Sequence, residues 1–108
     1  MTLPATVTAY LSAHEARDAD AALRHFTPDA TVVDEGQARH GHAEIREWLL
    51  KAGSRYTYTS TLTGTERVGD DHYVATHHLE GDFPGGVADL HYRFTLHNGR
   101  IARLVIEP

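Results

Sequence analysis

The stretch from Phe26 to Leu50, FTPDATVVDEGQARHGHAEIREWLL, decides the fold of this chain. It is predicted to contain the end of a helix, a turn, a short strand over Ala30 to Asp34, a polar loop and a further helix. The strand is rich in β-branched residues and ends in a carboxylate, so Asp34 closes an apolar run and does not belong to a charged surface stretch. An acid aimed into an apolar pocket is one part of a proton-transfer site, which makes Asp34 the first candidate for chemistry.

Two helices are predicted before this strand. The first has one apolar stripe at helical spacing, formed by Leu3, Val7, Tyr10, Leu11 and His14. The second is short and is capped by Asp18 or Asp20, with Phe26 on its buried face. It ends at Thr27-Pro28-Asp29, because the residue before a proline avoids the helical region. The stripe of the first helix thus brings the phenol of Tyr10 into the same interior as the acid at the end of the strand.

After the strand, Glu35 to Gly41 is predicted as a polar loop, and the third helix runs from about His42 to Ala52. Trp48 lies on the inner face of this helix, and Gly53 is its C-terminal stop. From Tyr56 onward the hydrophobic period changes from helical to two, which predicts strands in place of helices.

Four long antiparallel strands are predicted to fill the rest of the chain. They run over Tyr56 to Val68, His72 to Asp82, Val87 to His97 and Arg100 to Glu107. The odd positions from 57 to 65 all carry threonine, which predicts one polar β-branched face, and Asn98-Gly99 is a strong signal for a two-residue hairpin. Three helices, one short strand and four long strands make an α+β domain whose sheet curls around the helices to bury one face.

The hairpin between the second and third long strands sorts their side chains onto the two faces of the sheet. Pairing Asp82 with Val87 places His77 opposite Tyr92 on a face that is otherwise apolar and should pack on the helices. The neighbouring His78 then points to the other, polar face. A shift of one residue would exchange the two faces, and the clean separation of apolar from polar residues favours this register.

Length, charge and cysteine content limit the function classes. The 108 residues suffice for one domain spanning 1–108, and no internal repeat or linker divides them. The formal net charge of -5 argues against nucleic acid as a partner and gives no reason to expect a membrane surface. The absence of cysteine excludes a thiolate nucleophile and a zinc-thiolate site. With no signal-peptide pattern and no long apolar run, a cytoplasmic location is the default expectation.

The nine histidines are the unusual feature of the composition. Metal or proton chemistry is one interpretation, and scattered exposed histidines are the other. His40 and His42 flank Gly41 with the spacing of a metal pair, but no third ligand is evident, so no metal is expected. The sequence also lacks a glycine-rich phosphate cradle, so no organic cofactor is expected.

The order of these elements resembles a known family. FTPDATVVDEG, then GHAEIREWL over Gly41 to Leu49, then four long strands are similar to the nuclear transport factor 2-like cone fold, and within it to the SnoaL-like and ketosteroid-isomerase-like branch. The resemblance covers essentially the whole chain. It implies three N-terminal helices packed in the concave face of a curved, mostly antiparallel sheet, and a homodimer through the outer face of that sheet.

The resemblance also implies roles for individual residues. In ketosteroid isomerase an aspartate is the general base, and a tyrosine and a protonated aspartate hold the substrate oxygen. Asp34 falls at the position of the base and Tyr10 at that of the tyrosine. Leu90 stands where the second acid would lie, so one of the three functional positions differs. His77, on the neighbouring strand, is then the candidate for a different donor.

The predicted function is cofactor-independent proton transfer on a hydrophobic small molecule, of the isomerase, cyclase, dehydratase or epoxide-hydrolase type. The catalytic candidates are Asp34, Tyr10 and His77, and the candidates for the substrate-binding wall are Trp48, Tyr58, Leu90 and Tyr92. The alternative is a non-catalytic ligand-binding or dimerisation module of the same fold. In that case Asp34 is a structural acid, Tyr10 a core aromatic residue and His77 a core imidazole against Tyr92.

Overall fold

A computed structural model describes residues 3–52 and 57–108 of the chain. The helices within these residues are α1 (Ala5–Glu15), α2 (Ala19–Leu23) and α3 (Gly41–Ala52). The strands are β1 (Phe26–Asp34), β2 (Gln37–His40), β3 (Tyr58–Gly69), β4 (His72–Gly81), β5 (Val87–His97) and β6 (Arg100–Glu107). They form one curved sheet in the order β2-β1-β6-β5-β4-β3, antiparallel except where β1 runs parallel to β6. This confirms the predicted α+β class and the mostly antiparallel sheet.

The apolar stripe of α1 is confirmed. Val7 and Tyr10 are fully buried, and the Tyr10 ring meets Phe26 and Phe94 edge-on, with ring centroids 5.3 and 5.8 Å away. Burial of each such apolar side chain contributes roughly 1.5–3 kcal/mol. These contacts fix α1 against the concave face of the sheet. No helix in the described ranges is long and apolar enough to span a membrane.

The predicted cap of α2 is also confirmed, but the predicted end of that helix is wrong. The Asp18 carboxylate accepts the Ala21 N–H at 3.1 Å. The helix ends at Leu23, and β1 already begins at Phe26. Phe26 pairs with Ile101 of β6, whose N–H donates to the His25 carbonyl at 2.7 Å. Pairing with a distant strand therefore overrides the helical spacing of the apolar residues.

The loop predicted over residues 35–41 is wrong in part, because Gln37–His40 forms the edge strand β2. β2 pairs antiparallel with the end of β1, so that Asp34 lies opposite Gln37. The two residues between them, Glu35 and Gly36, have φ angles of 53° and 75°, the left-handed backbone that tight hairpins need. A short, polar edge strand carries too little alternation to be recognised from sequence.

The faces predicted for β4 and β5 are confirmed, but the predicted register is wrong by two residues. Glu80 pairs with Val87, so His77 lies opposite Leu90, and Tyr92 lies opposite Ala75. Because the side-chain period of a strand is two, a shift of two residues leaves every side chain on its predicted face. The strand β4 ends at Gly81, one residue earlier than predicted.

The predicted threonine face of β3 is interrupted by a bulge. Leu62 pairs with His77, and the next pair is Gly64 with Thr76, so Thr63 is the extra residue. Beyond the bulge the alternation reverses, and Thr65 pairs with Ala75 on the inner side of the sheet. Before the bulge, Tyr58 and Ser60 share the inner face with His77. The predicted helix stop at Gly53 and strand start at Tyr56 lie outside the described residues.

Candidate functional site

Two adjoining cavities lie between the helices and the inner face of the sheet. The larger has a volume of about 670 Å³, and its lining includes Asp34, Trp48, Tyr58, Leu90 and Tyr92. The smaller has a volume of about 220 Å³, and its lining includes Glu15, Arg17, Ser60 and His77. His14, Tyr58 and Tyr92 border both cavities. The structure thus brings five of the seven predicted site residues to one cavity and His77 to its neighbour.

Asp34 is oriented by the helix that faces it. The indole Nε1–H of Trp48 donates to Asp34 Oδ2 at 3.0 Å, and the Arg39 guanidinium donates to the Asp34 backbone carbonyl at 3.1 Å. Burial raises the pKa of the Asp34 carboxyl, and the hydrogen bond from Trp48 opposes that rise without cancelling it. The carboxylate is therefore held in one orientation at the wall of a largely apolar cavity, with a proton affinity above the ordinary.

Tyr10 lies deeper in the core than predicted from the sequence pattern. Its side chain is fully buried and lines neither cavity. No residue in the described part of the chain is a hydrogen-bond partner for its hydroxyl. Burial, and then the nearby Tyr92 and Asp34, raise the pKa of the phenol well above its usual value. Its predicted role as a donor to substrate remains a prediction.

His77 faces the smaller cavity and not the larger one. Its Nδ1 lies 2.9 Å from Ser60 Oγ, and its ring centroid is 5.0 Å from that of Tyr92. Its Nε2 is buried, and within residues 3–52 and 57–108 it meets no hydrogen-bond partner. Burial lowers the pKa of the imidazole, so the ring is held neutral.

The phenols of Tyr58 and Tyr92 are better placed than that of Tyr10 to meet a ligand. Both line the larger cavity, and burial raises the pKa of each. The negative charge of Asp34 also raises both pKa values, while the positive charge of Arg17 lowers the pKa of Tyr58 in part. Both groups therefore stay protonated and can donate hydrogen bonds in a site of low dielectric constant.

His14 is a residue of the site for which the sequence analysis proposed no role. Its ring stacks on Trp48 at a centroid distance of 6.1 Å and an interplanar angle of 15°, and on Tyr10 at 5.7 Å and 23°. Burial lowers its pKa to about 4. The available signal was its place on the apolar stripe of α1, one helical turn after Tyr10. A single polar ring on such a stripe is a candidate for a cavity wall.

The histidines that flank Gly41 have other partners. His40 Nδ1 lies 3.1 Å from Thr31 Oγ1, and His42 Nε2 lies 3.1 Å from the backbone carbonyl of Phe26. Among the residues that the structure describes, no group of three or more His, Asp or Glu side chains is placed to hold a metal ion. The His40 ring instead ties β2 to β1, and the His42 ring ties the start of α3 to β1.

The outer face of β4 and β5 carries ion pairs. His78 Nδ1 lies 2.8 Å from Asp89 Oδ1, and the Arg93 guanidinium donates to Glu107 at 2.7 Å. These groups are largely exposed. The homodimer that was expected to form through this face remains a prediction.

Comparison with known proteins places this geometry in a family. The model of the SnoaL-like domain matches residues 7–104. A crystal structure of a candidate polyketide cyclase from Sinorhizobium meliloti is similar, with 36% identity and a TM-score of 0.90 over 97% of this chain and 95% of that one. No curated protein matches the chain in sequence.

Two further solved structures share the fold at lower identity. A protein with a ketosteroid isomerase-like fold from Catenulispora acidiphila, crystallised with trimethylamine, has 21% identity and a TM-score of 0.84 over 99% of this chain and 87% of that one. A candidate polyketide cyclase from Pseudomonas putida has 24% identity and a TM-score of 0.79 over 100% of this chain and 92% of that one.

Proposed function

We propose that this chain, which belongs to the family of SnoaL-like domains, binds a hydrophobic small molecule in the larger cavity. We propose further that it catalyses a proton transfer from one atom of that molecule to another. The reaction class is deprotonation of a carbon next to a carbonyl group, as in an isomerisation or an aldol cyclisation. Asp34 is the proposed general base. Tyr58 and Tyr92 are the proposed donors to the substrate oxygen, in place of Tyr10, which lines neither cavity. The donor role of His77, which faces the smaller cavity, stays a prediction.

The observation that carries the proposal is the environment of Asp34. Its carboxylate lines an apolar cavity of about 670 Å³ and is oriented by the Trp48 indole. A general base works best when its pKa lies near the working pH, and burial raises the pKa of Asp34 towards that range. A solvated acid at the end of a surface strand would have neither an apolar cavity beside it nor a pKa raised by burial.

The chemistry balances without any further reactant. The Asp34 carboxylate takes the proton from the carbon, the C–H electron pair forms a carbon–carbon double bond, and the carbonyl pair moves onto oxygen. Hydrogen bonds from the two phenols stabilise the charge that develops on that oxygen. In an isomerisation the substrate is a β,γ-unsaturated ketone, and its dienolate takes the proton back from Asp34 at the γ carbon. In an aldol cyclisation the enolate carbon attacks a second carbonyl group, and the oxygen of that group takes the proton from Asp34. Either route regenerates the carboxylate.

The alternative is a ligand-binding module without catalysis. The position of Tyr10 favours it, because a residue that lines neither cavity cannot meet a ligand there without rearrangement. Turnover decides between the two functions. The probe is 2-tetralone, a hydrophobic ketone with an acidic C–H, whose deuterium uptake from D₂O is followed by mass spectrometry.

Wild-type protein is expected to accelerate deuterium uptake above the buffer rate, and Asp34→Asn to reduce that acceleration by roughly a hundredfold or more. Asn is nearly isosteric and keeps an oxygen for the Trp48 indole, so the fold should survive. Asp89→Asn on the outer face is the control and should exchange like wild type. Undiminished exchange by Asp34→Asn would remove Asp34 from the role of base, and saturable binding without exchange by wild type would support the binding module.

A further inference from the structure

We infer that His14 is a third donor to the substrate oxygen, and that this oxygen binds where the two cavities meet. This role deepens the proposed function and rests on it for the presence of a carbonyl oxygen in the ligand. Three observations carry it: the accessibility of the imidazole nitrogens, the aromatic contacts that orient the ring, and the position of the ring between the cavities.

The imidazole of His14 can be reached from the cavities that it lines. In the part of the chain that the structure describes, neither of its nitrogens has a hydrogen-bond partner, and neither is enclosed. The side-chain atoms that are enclosed without a partner there are different ones: Tyr10 Oη, Thr27 Oγ1, His77 Nε2 and His91 Nδ1. A ligand in the cavities can therefore reach a nitrogen of His14, whereas the enclosed atoms are closed to it.

The availability of a donor does not depend on the tautomer of His14. A neutral imidazole carries one N–H, on Nδ1 or on Nε2, and so always offers one hydrogen-bond donor. The ring is neutral at physiological pH, because burial, and then the neighbouring His77, lower its pKa to about 4. Since both nitrogens lack a partner within the described chain, the proton can occupy whichever nitrogen faces the substrate oxygen.

Three aromatic side chains hold the ring of His14 in place. It stacks on Trp48, at a centroid distance of 6.1 Å and an interplanar angle of 15°, and on Tyr10, at 5.7 Å and 23°. The ring of Tyr92 meets it in a T-shaped contact at 6.4 Å. A donor whose orientation is fixed before the substrate binds needs no reorganisation during the reaction, which is the condition for stabilising a developing charge.

The ring lies between the proposed base and one of the proposed phenol donors. Trp48, on which His14 stacks, donates to the Asp34 carboxylate, and Tyr92 is in contact with His14 on another side. His14, Tyr58 and Tyr92 are also the residues shared by the linings of the two cavities. The substrate oxygen thus lies at this shared wall, and the acidic C–H lies in the larger cavity beside Asp34.

The donors at the shared wall also define the class of substrate. All three are uncharged at physiological pH, because the pKa of His14 is lowered and the pKa values of Tyr58 and Tyr92 are raised. Uncharged donors bind a carbonyl oxygen and stabilise the charge that it gains in the transition state. They bring no positive charge to the wall that would favour a carboxylate or a phosphate, so the substrate is an uncharged carbonyl compound.

The first test removes the donor and keeps the ring. His14→Phe retains an aromatic ring against Trp48 and Tyr10 but has no N–H. The probes are 2-tetralone and 2-methylenetetralin, in which a CH₂ group of similar shape replaces the carbonyl oxygen. Isothermal titration calorimetry measures the binding of both probes, because the fluorescence of Trp48 would respond to the substitution itself.

Wild type should prefer the ketone over its methylene analogue. His14→Phe should reduce that preference by about three- to tenfold, the range of one hydrogen bond between neutral groups. His97→Phe, at the exposed end of β5, is the control and should bind both probes like wild type.

The same variant should slow the deuterium uptake of 2-tetralone. Loss of one donor should lower kcat by roughly tenfold or more, because a hydrogen bond to a developing negative charge strengthens in the transition state. A residue that only filled space at the cavity wall would change KM and the binding of both probes alike, and would leave kcat unchanged.

A measurement on the wild type keeps the role of His14 testable if His14→Phe folds poorly. In ¹⁵N NMR of protein with labelled histidine, 2-tetralone should move the resonance of the protonated His14 nitrogen, whereas 2-methylenetetralin should not. An equal response to the two probes, or an unchanged preference and kcat in folded His14→Phe, overturns the inference.

Asp34→Asn separates the role of His14 from the proposed function. It should stop deuterium exchange and keep the ketone preference, because His14 and not the carboxylate binds the oxygen. If wild type shows no exchange but His14→Phe reduces the preference, the proposed catalysis fails and His14 still binds the ligand oxygen. If Asp34→Asn stops exchange while His14→Phe keeps both the preference and kcat, the proposed function stands and His14 is a wall residue only.

Discussion

Two adjacent histidines on β4 lie on opposite faces of the sheet, and their pKa values are shifted in opposite directions. On the inner face His77 is half-buried beside Ser60, and burial lowers its pKa. On the outer face His78 lies 2.8 Å from the Asp89 carboxylate, and the hydrogen bond to Asp89 raises its pKa. Since the two side chains are identical and neighbours in sequence, the difference comes from solvent access and partners alone.

The difference extends beyond this pair. Interior groups, on the inner face of the sheet and on α1 that packs against it, have pKa values shifted towards their neutral forms: the pKa of Asp34 is raised, that of His14 is lowered, and that of Tyr92 is raised, each mainly by burial. Outer-face groups such as Arg93 and Glu107 form ion pairs in water. An interior that favours neutral imidazoles and phenols and raises the proton affinity of its carboxylate suits proton transfer on neutral ligands, whereas the outer face suits charge.

His14 gives the largest effect expected from this contrast. Its pKa falls from 6.5 to about 4 in the folded protein. Between these two pH values the unfolded chain binds a proton at His14 and the folded chain does not. Stability is therefore lost as the pH falls from about 6.5 to about 4, by on the order of 3 kcal/mol. His14→Phe keeps an aromatic ring against Trp48 and should remove this loss. Urea unfolding at neutral and acidic pH measures it.

Other groups titrate over the same range, so the difference between wild type and His14→Phe is the quantity to compare. It should grow in favour of the variant as the pH falls. His97→Phe, at the exposed end of β5, is the control for adding a phenyl ring. A constant difference across the range would mean that His14 is as accessible to protons as an outer-face histidine, and the contrast between the faces would fail there.

Asp34 is expected to have a smaller effect on stability than His14, and here the charged form is the one that burial disfavours at neutral pH. Its pKa is raised in the folded state, so the folded chain binds that proton more tightly, and the ionised carboxylate lowers stability at neutral pH. Asp34→Asn should therefore raise the thermal midpoint at neutral pH. The gain should shrink as the pH falls through the raised pKa towards the ordinary value near 3.8. A lower midpoint at neutral pH would mean that contacts of the carboxylate outweigh its desolvation.

Periodicity predicted the elements of this fold that depend on local pattern. The faces of β4 and β5 were predictable although the register was not, because a shift of two residues preserves side-chain direction. The start of β1 at Phe26 was not predictable, since it depends on pairing with Ile101 some seventy-five positions later. The bulge at Thr63 had no signal in a run of alternating threonines.

The candidate site was predictable to a similar degree. Asp34 and Trp48 were identified separately, as a strand-end acid and a helix-face indole, but their hydrogen bond depends on how α3 packs on β1. The division of the interior into two cavities is a property of packing, so sequence placed His77 beside Asp34 when it faces the smaller cavity. His14 was assigned to a buried stripe without a role, because spacing alone does not separate core from cavity wall.

The smallest expected effect comes from His78 on the outer face. Its pKa is raised in the folded state, so its contribution to stability is present below the unfolded pKa and is lost as the pH rises through the folded one. His78→Gln should lower the thermal midpoint slightly at about pH 5 and leave it unchanged at about pH 9. Asp89→Asn should behave alike, the double variant should add little, and salt should weaken both effects because the pair is exposed. If His78→Gln lost as much stability as the pH change costs through His14, the outer-face histidine would be as strongly desolvated as the interior one. Burial could not then explain why the pKa values of the neighbouring histidines His77 and His78 differ.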